Sequence, residues 1–118
     1  MKISILTTNY NGGRWLARCM DSILAQELAP GDELEYLFLD GGSTDDSVQI
    51  AEARRSRLAA LVSEKDNGPA DALNKGFARA TGDLVGWLNA DDLYQPGALA
   101  KAIAAAKAHP QASFFFGK

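Results

Sequence analysis

The sequence has little of several features that would define a class of protein on their own. It contains one cysteine, Cys19, so no intrachain disulfide can form, and we expect a reducing compartment. A single histidine, His109, excludes a histidine-rich metal site. No apolar run approaches the roughly 20 residues of a membrane-spanning helix, and the N-terminal run turns polar at Thr7, too early for a signal peptide. We therefore expect a cytoplasmic protein.

Basic charge is also scarce. Twelve Lys and Arg against fifteen Asp and Glu give a net charge of −3, whereas a nucleic-acid binder presents a basic face, so we expect no nucleic-acid partner. The composition, 47% hydrophobic and 23% charged, is typical of a globular domain. A length of 118 residues without repeats or linkers indicates one domain, 1–118.

Short β-branched, apolar segments alternate along the chain with segments that carry apolar residues at helical spacing. This alternation predicts an α/β fold, a mostly parallel open sheet with helices on both faces and right-handed crossovers. The predicted strands are 3–6, 36–39, 61–62, 84–88 and 113–116. The predicted helices are 15–26, 44–51, 69–82 and 96–108.

Local signals set the expected ends and faces of the helices. Thr44 is expected to cap the second helix, with two aspartates in its first turn. Gly82 is expected to end the third helix as a left-handed cap residue. Leu73 and Phe77 are expected to turn the third helix towards the core, which leaves Asn74 to one side, within reach of the crevice.

Three polar clusters follow predicted strands: 7–11, 40–43 and 89–92. The carboxyl ends of parallel strands share one edge of the sheet, and ligands of open α/β sheets bind beyond that edge. We expect the three clusters to line one binding crevice.

Asp91 and Asp92 form the sharpest of these features. Two adjacent carboxylates at a strand end supply the hard oxygen ligands that Mg²⁺ or Mn²⁺ prefers, and such an ion lets an acidic protein bind a diphosphate. The alternative is an N-cap of the helix that starts at Pro96, or a solvated turn.

Each of the other two clusters also has two interpretations. Asp40 can accept a hydrogen bond from a ribose hydroxyl or a base N–H, or it can be an ordinary residue of a strand-to-helix turn. Tyr10 can stack on a nucleobase, or it can cover part of the core. Asn74 can reach the crevice, or it can belong to a solvated helix face.

Six short motifs occur in an order and at spacings that together are specific: 4–11, 40–45, 66–68, 71–76, 80–83 and 87–92. With these motifs, nearly the whole chain resembles the N-terminal, nucleotide-binding part of a family 2 glycosyltransferase with the GT-A fold.

The resemblance implies transfer of a sugar from a UDP- or GDP-type nucleoside-diphosphate donor to an acceptor hydroxyl, with inversion. It implies that Thr8 and Tyr10 lie at the nucleobase and Asp40 at the nucleoside. Asp92 would hold Mn²⁺ or Mg²⁺ on the diphosphate, and Asp91 would lie near the ribose or the metal. The ion would stabilise the charge that builds on the departing diphosphate.

The sequence departs from the family pattern at two positions. Gly41 stands where a second acidic residue often helps to read the base, which makes uracil less certain. Asn89 stands at the first acid of the metal motif, which lowers the expected affinity for metal.

No Asp or Glu follows Asp92, so we expect the catalytic base beyond Lys118 and the chain alone to be an inactive fragment without the acceptor-binding part. The acceptor, a glycan or a lipid, is then unspecified. Polysaccharide biosynthesis is the pathway that the family implies, with the inner membrane surface as an alternative location for the full-length protein. Self-association through the predicted strand Phe114–Phe116 is also expected.

Two other functions stay open at this point. A metal-dependent sugar nucleotidyltransferase would have a basic, glycine-rich loop after the first strand, where this chain has only Arg14. A non-catalytic nucleotide-binding or assembly module would keep the fold without the chemistry.

Overall fold

The computed structural model describes residues 1–109. Its strands and helices alternate, as predicted. They are β1 (Lys2–Asn9), α1 (Gly13–Leu24), β2 (Glu33–Asp40), α2 (Ser47–Glu52), β3 (Ala60–Ser63), α3 (Pro69–Arg79), β4 (Leu84–Trp87) and α4 (Ala98–Ala108), with a 3₁₀ turn at Arg55–Arg57. The predicted strand 113–116 and the self-association assigned to it lie outside the described residues.

The four described strands form one sheet in the order β3-β2-β1-β4, and every neighbouring pair is parallel. The predicted fold class is therefore confirmed. The order places β1 in the middle, so the loops after β2 and β4 flank the loop after β1. All three loops leave the sheet at its carboxyl edge, as parallel strands require.

The sheet has a different helix layer on each face. One face packs under α1, α2 and α4 through the larger core, which includes Ile5, Met20 and Ile103. The other face packs under α3 through a smaller cluster around Leu6 and Leu39. None of the helices between residues 1 and 109 combines the length and apolar character that a membrane crossing needs.

The predicted core stripe of α3 is right at Leu73, which is half-buried against the Leu6 cluster, and wrong at Phe77. Phe77 is 53% exposed, and the buried residues of α3 are Ala72 and Gly76. A Cβ on Gly76 would lie 2.7 Å from a methyl carbon of Leu6, so the helix can approach the sheet only along its small-residue face. The side of α3 that meets the sheet is therefore set by how closely the helix and the sheet approach each other, which a hydropathy pattern does not show.

Two predicted helix ends also differ from the structure. α2 begins at Ser47, and the backbone N–H of Thr44 donates to the Asn11 side chain at 2.8 Å. α3 ends at Arg79, and Gly82 does not have a positive φ. A Cβ on Gly82 would lie 2.5 Å from the Ser4 hydroxyl, so its role is close backbone approach.

Candidate functional site

A cleft of about 580 Å³ opens at the carboxyl edge of the sheet. Four loops contribute to it: the end of β1, the turn after β2, the segment that leads into α3, and the turn after β4. Its lining includes Thr8, Asn9, Tyr10, Gly41, Gly42, Lys65, Asp66, Gly68, Pro69, Ala72 and Asn89. The crevice expected from the three polar clusters is therefore present, and a fourth loop, which precedes α3, completes its wall.

Tyr10 stands at the mouth of this cleft with 67% of its surface exposed. That exposure excludes the alternative in which Tyr10 covers the core. An aromatic ring held at a cleft wall offers a flat face on which a planar ligand can stack.

The turn Asp40–Ser43, called the Asp40 turn below, is closed by its own carboxylate. The side chain of Asp40 accepts five hydrogen bonds, from Asn9 Nδ2 (2.9 Å), the Gly42 N–H (3.1 Å), the Ser43 N–H (2.8 Å), the Ser43 hydroxyl (2.6 Å) and the Ser63 hydroxyl (2.8 Å). Asp40 is 2% exposed. Its two oxygens therefore hold β1, β2 and β3 together directly beneath the cleft.

Burial and hydrogen bonding act on Asp40 in opposite directions. Burial by itself raises the pKa of this carboxyl group. The bonds from Ser43, Asn9 and Ser63 favour the ionised form more strongly, so the pKa of Asp40 is lowered from its usual value. The carboxylate is a permanent negative charge whose partners are already supplied by the fold.

The turn Asn89–Asp92, called the carboxylate turn below, is built differently. The hydroxyl of Thr8 accepts the indole N–H of Trp87 at 2.9 Å and donates to the Asn89 amide oxygen at 3.0 Å. The Asn89 amide nitrogen then donates to a carboxylate oxygen of Asp91 at 3.2 Å. Asn89, the departure from the family's acidic residue, thus connects β1 to Asp91 and lines the cleft as well.

Asp91 and Asp92 are both exposed, and neither has an ion pair within residues 1–109. The alternative that they cap the following helix is wrong, since the N-cap of α4 is Gly97. No group of three or more Asp, Glu, His or Cys side chains in the described part of the chain is arranged to hold a metal by itself. Two carboxylates suit a hard cation whose remaining ligands are oxygens of a bound phosphate and water.

Residues 66–68 form one of the six motifs of the sequence, but the motif by itself predicted no role for their side chains. The Asp66 carboxylate lies 2.9 and 3.0 Å from the place where a Cβ on Gly41 would stand, so the missing side chain of Gly41 makes room for it. The Gly68 N–H, 3.0 Å away, holds one of its oxygens. The available signal was position, because Asp66 follows the end of β3 as the other clusters follow their strands.

Asn74 is exposed on α3 and is not among the residues that line the cleft. Its neighbour Lys75 points towards the β3 side of the helix, where it pairs with Glu64 at 3.1 Å. The nucleotide contact of Asn74 stays a prediction.

The arrangement is shared with known proteins. The model of glycosyl transferase family 2 matches residues 4–117. An uncharacterized glycosyltransferase of Nostoc sp. is 36% identical over 107 residues, which cover 87% of this chain and 32% of that protein.

Two solved structures have the same fold at 28% sequence identity. TarS of S. aureus in complex with UDP-GlcNAc superposes with a TM-score of 0.83, over 93% of this chain and 32% of that one. The mannosyltransferase PcManGT of Pyrobaculum calidifontis, in complex with GDP-Man and Mn²⁺, superposes with a TM-score of 0.79, over 88% of this chain and 32% of that one.

The chain spans about a third of the length of each of these proteins. Its four parallel strands and their helices are part of a GT-A fold. The family match covers almost all of its residues, and the chain belongs to glycosyl transferase family 2.

Proposed function

We propose that the chain binds the nucleoside diphosphate of a UDP- or GDP-type sugar donor, for transfer of the sugar to an acceptor hydroxyl with inversion. The observation that carries this proposal is the cleft itself, which is lined by the exposed ring of Tyr10 and by Asn89, the residue that leads into the exposed carboxylates of Asp91 and Asp92. Relatives with this fold were solved with UDP-GlcNAc and with GDP-Man and Mn²⁺, which supports the ligand class.

The nucleobase of the donor binds at the Tyr10 side of the cleft. Tyr10 stacks on the ring, and Asp66 accepts a base N–H, because its carboxylate fills the space left by Gly41. This arrangement supplies from the loop after β3 the acidic group that the resemblance places directly after Asp40. Lys65, which also lines the cleft, adds a positive charge near the ligand.

Asp40 contributes by holding the wall rather than by touching the nucleoside. Five donors already engage its oxygens, so a further hydrogen bond from the ligand would have to displace one of them. The Gly41–Gly42 backbone that Asp40 fixes lines the cleft and faces the nucleoside.

The diphosphate lies at the carboxylate turn. Asp92 and Asp91 would hold Mn²⁺ or Mg²⁺ there, with Asp91 also within reach of the ribose, and the ion supplies positive charge that offsets the leaving diphosphate. Without a cation, the two carboxylates repel the diphosphate, because like charges at contact distance disfavour binding.

We propose that the catalytic base and the acceptor site are not formed by residues 1–118. No carboxylate follows Asp92 that could deprotonate an acceptor hydroxyl. The family assignment favours the glycosyltransferase over the nucleotidyltransferase that the sequence left open.

Calorimetric titration of the chain with UDP and with GDP, in Mn²⁺ and in EDTA, tests the proposal. We expect one of the nucleotides to bind, with an affinity at least about thirtyfold higher in Mn²⁺, as for a ligand whose charge the ion neutralises. Equal affinity in EDTA would contradict the metal role. Absence of binding by both nucleotides in both buffers would contradict the donor site.

A further inference from the structure

A chain of buried hydroxyl and thiol groups runs from the core to the carboxylate turn. The Tyr36 hydroxyl on β2 lies 2.7 Å from the Thr7 hydroxyl on β1, which lies 3.9 Å from the Cys19 sulfur on α1. Cys19 Sγ in turn lies 3.5 Å from the backbone carbonyl oxygen of Asn89. All three side chains are at most 1% exposed, so no bulk water competes for these bonds.

The direction of the protons follows from the last bond. A carbonyl oxygen can only accept, so Cys19 donates its S–H to Asn89. The sulfur then accepts the proton of Thr7, and Thr7, having donated its only proton, accepts that of Tyr36. All three protons point towards the carboxylate turn, and each bond polarises the next.

The ionisation of these groups is consistent with this direction. Burial raises the pKa of the Cys19 thiol to about 11, with the nearby negative charges of Asp92 and Asp91 acting in the same direction. Burial likewise raises the pKa of Tyr36. Both groups keep their protons at neutral pH, so Cys19 is a hydrogen-bond donor here and not a thiolate nucleophile.

The carbonyl at the end of the chain also closes the carboxylate turn. The backbone oxygen of Asn89 accepts the N–H of Asp92 at 3.0 Å. Within the same turn, the N–H of Ala90 donates to the backbone oxygen of Thr8 at 3.2 Å. The thiol of Cys19 therefore holds the backbone oxygen that accepts the N–H of Asp92. Among the described residues, the bond from the Asn89 side chain to Asp91 is the one side-chain hydrogen bond to either carboxylate.

We propose that Cys19, ordered by Thr7 and Tyr36, is a positioning residue for the cation that the carboxylate turn holds with a bound diphosphate. The inference rests on the proposed metal role of Asp92 and Asp91. It assigns a function at the site to Cys19, whose place on the buried face of α1 by itself indicates only a core residue.

The test measures how much Mn²⁺ strengthens UDP binding, or GDP binding if that is the nucleotide bound, as the ratio of the Kd in EDTA to the Kd in Mn²⁺. Cys19→Ala should lower this ratio about tenfold, the lower end of the range for residues that orient metal ligands, with the Kd in EDTA unchanged. Cys19→Ser, which keeps a donor, should recover most of the ratio. Ile23→Val, on the same buried face of α1 and outside the chain of bonds, should leave it unchanged.

Infrared spectroscopy gives an independent readout, because Cys19 is the only cysteine and its S–H stretching band is unique. We expect the frequency of a hydrogen-bonded thiol, and the frequency of a free thiol would overturn the proposal. A Mn²⁺ ratio that is the same in the wild type and in Cys19→Ala would overturn this inference alone. A ratio of one in the wild type would overturn the metal role and the inference together.

Discussion

The turns after β2 and β4 lie on either side of β1 at the same edge of the sheet, and both carry aspartates. In the Asp40 turn, one carboxylate accepts five hydrogen bonds and is 2% exposed. In the carboxylate turn, Asp91 accepts one bond from Asn89 and both aspartates are exposed. The comparison teaches that the number of donors around a carboxylate, and not its place after a strand, separates a structural aspartate from one available to a ligand.

Asp40→Ala should produce the largest effect, a loss of about 3 kcal/mol of stability, because the bonds to a buried charged group are removed and their donors are left without an acceptor. This corresponds to a fall in Tm of about 10 °C for a domain of this size. Thermal unfolding without ligand measures it.

Asp46→Ala is the matched control for this change. Asp46 precedes α2, is exposed, and makes no side-chain cap bond, so its loss should alter stability by less than about 0.5 kcal/mol. Equal stability of the two variants would remove the distinction between the two turns.

Asp92→Ala should show the opposite pattern. Stability should stay within about 0.5 kcal/mol of the wild type, since the side chain is exposed. The affinity for the nucleotide in Mn²⁺ should fall about thirtyfold, or about 2 kcal/mol, while the affinity in EDTA should not fall, because one of the two carboxylates that repel the diphosphate is gone. Calorimetry in both buffers separates the effects, and an equal loss in both buffers would contradict a role through the metal.

Glu35 extends the comparison to the opposite edge of the sheet. It accepts bonds from Thr81 and Ser4 and lies 3.6 Å from Lys2. Burial by itself raises the pKa of Glu35, but these bonds and the charge of Lys2 outweigh it and lower the pKa from 4.5 to about 2. The carboxylate oxygens of Glu35, like those of Asp40, are therefore already engaged by hydrogen bonds within the fold.

The sign of its pH dependence follows from that pKa. The ionised form of Glu35 is favoured in the folded state. The stability that this carboxylate contributes is therefore complete above pH 4.5 and is lost as the pH falls towards about 2. Glu35→Gln should be about 1 kcal/mol less stable than the wild type at pH 7, a value reduced for solvent screening, and the gap should close at low pH. Urea unfolding across this range measures it. Glu33→Gln, exposed on the same strand, should show no such gap.

Gly41→Ala should have the smallest effect. The new methyl group would lie 2.9 Å from the Asp66 carboxylate and would displace it, with a stability change below about 1 kcal/mol. Nucleotide affinity should fall about threefold, since the displaced oxygen no longer meets the base. In an Asp66→Ala background the same substitution should change nothing, and an undiminished effect there would show that Asp66 does not mediate it.

Local patterns predicted most of the scaffold but not every contact within it. Alternating strands and helices indicated the parallel sheet, and the polar residues after β1, β2 and β4 indicated the edge where the cleft lies. Leu73 was correctly expected to face the sheet, but the buried centre of α3 at Ala72 and Gly76 could not be predicted, because Gly76 is required by its close approach to Leu6 and not by its hydropathy. Asp66 was overlooked because its space depends on Gly41, which is remote in the sequence.

The order of the elements, the edge of the sheet at which polar side chains gather and the membership of the family all follow from local patterns and from the series of motifs. Which aspartate is engaged by hydrogen bonds and which is available to a ligand depends on the packing of the strands and helices. The donors to Asp40 come from Asn9 and Ser63 as well as from its own turn, whereas the carboxylate turn receives its support from Cys19 through a backbone oxygen. Hydrogen bonds of this kind form between residues that only the packing of strands and helices brings together, so no local pattern records them.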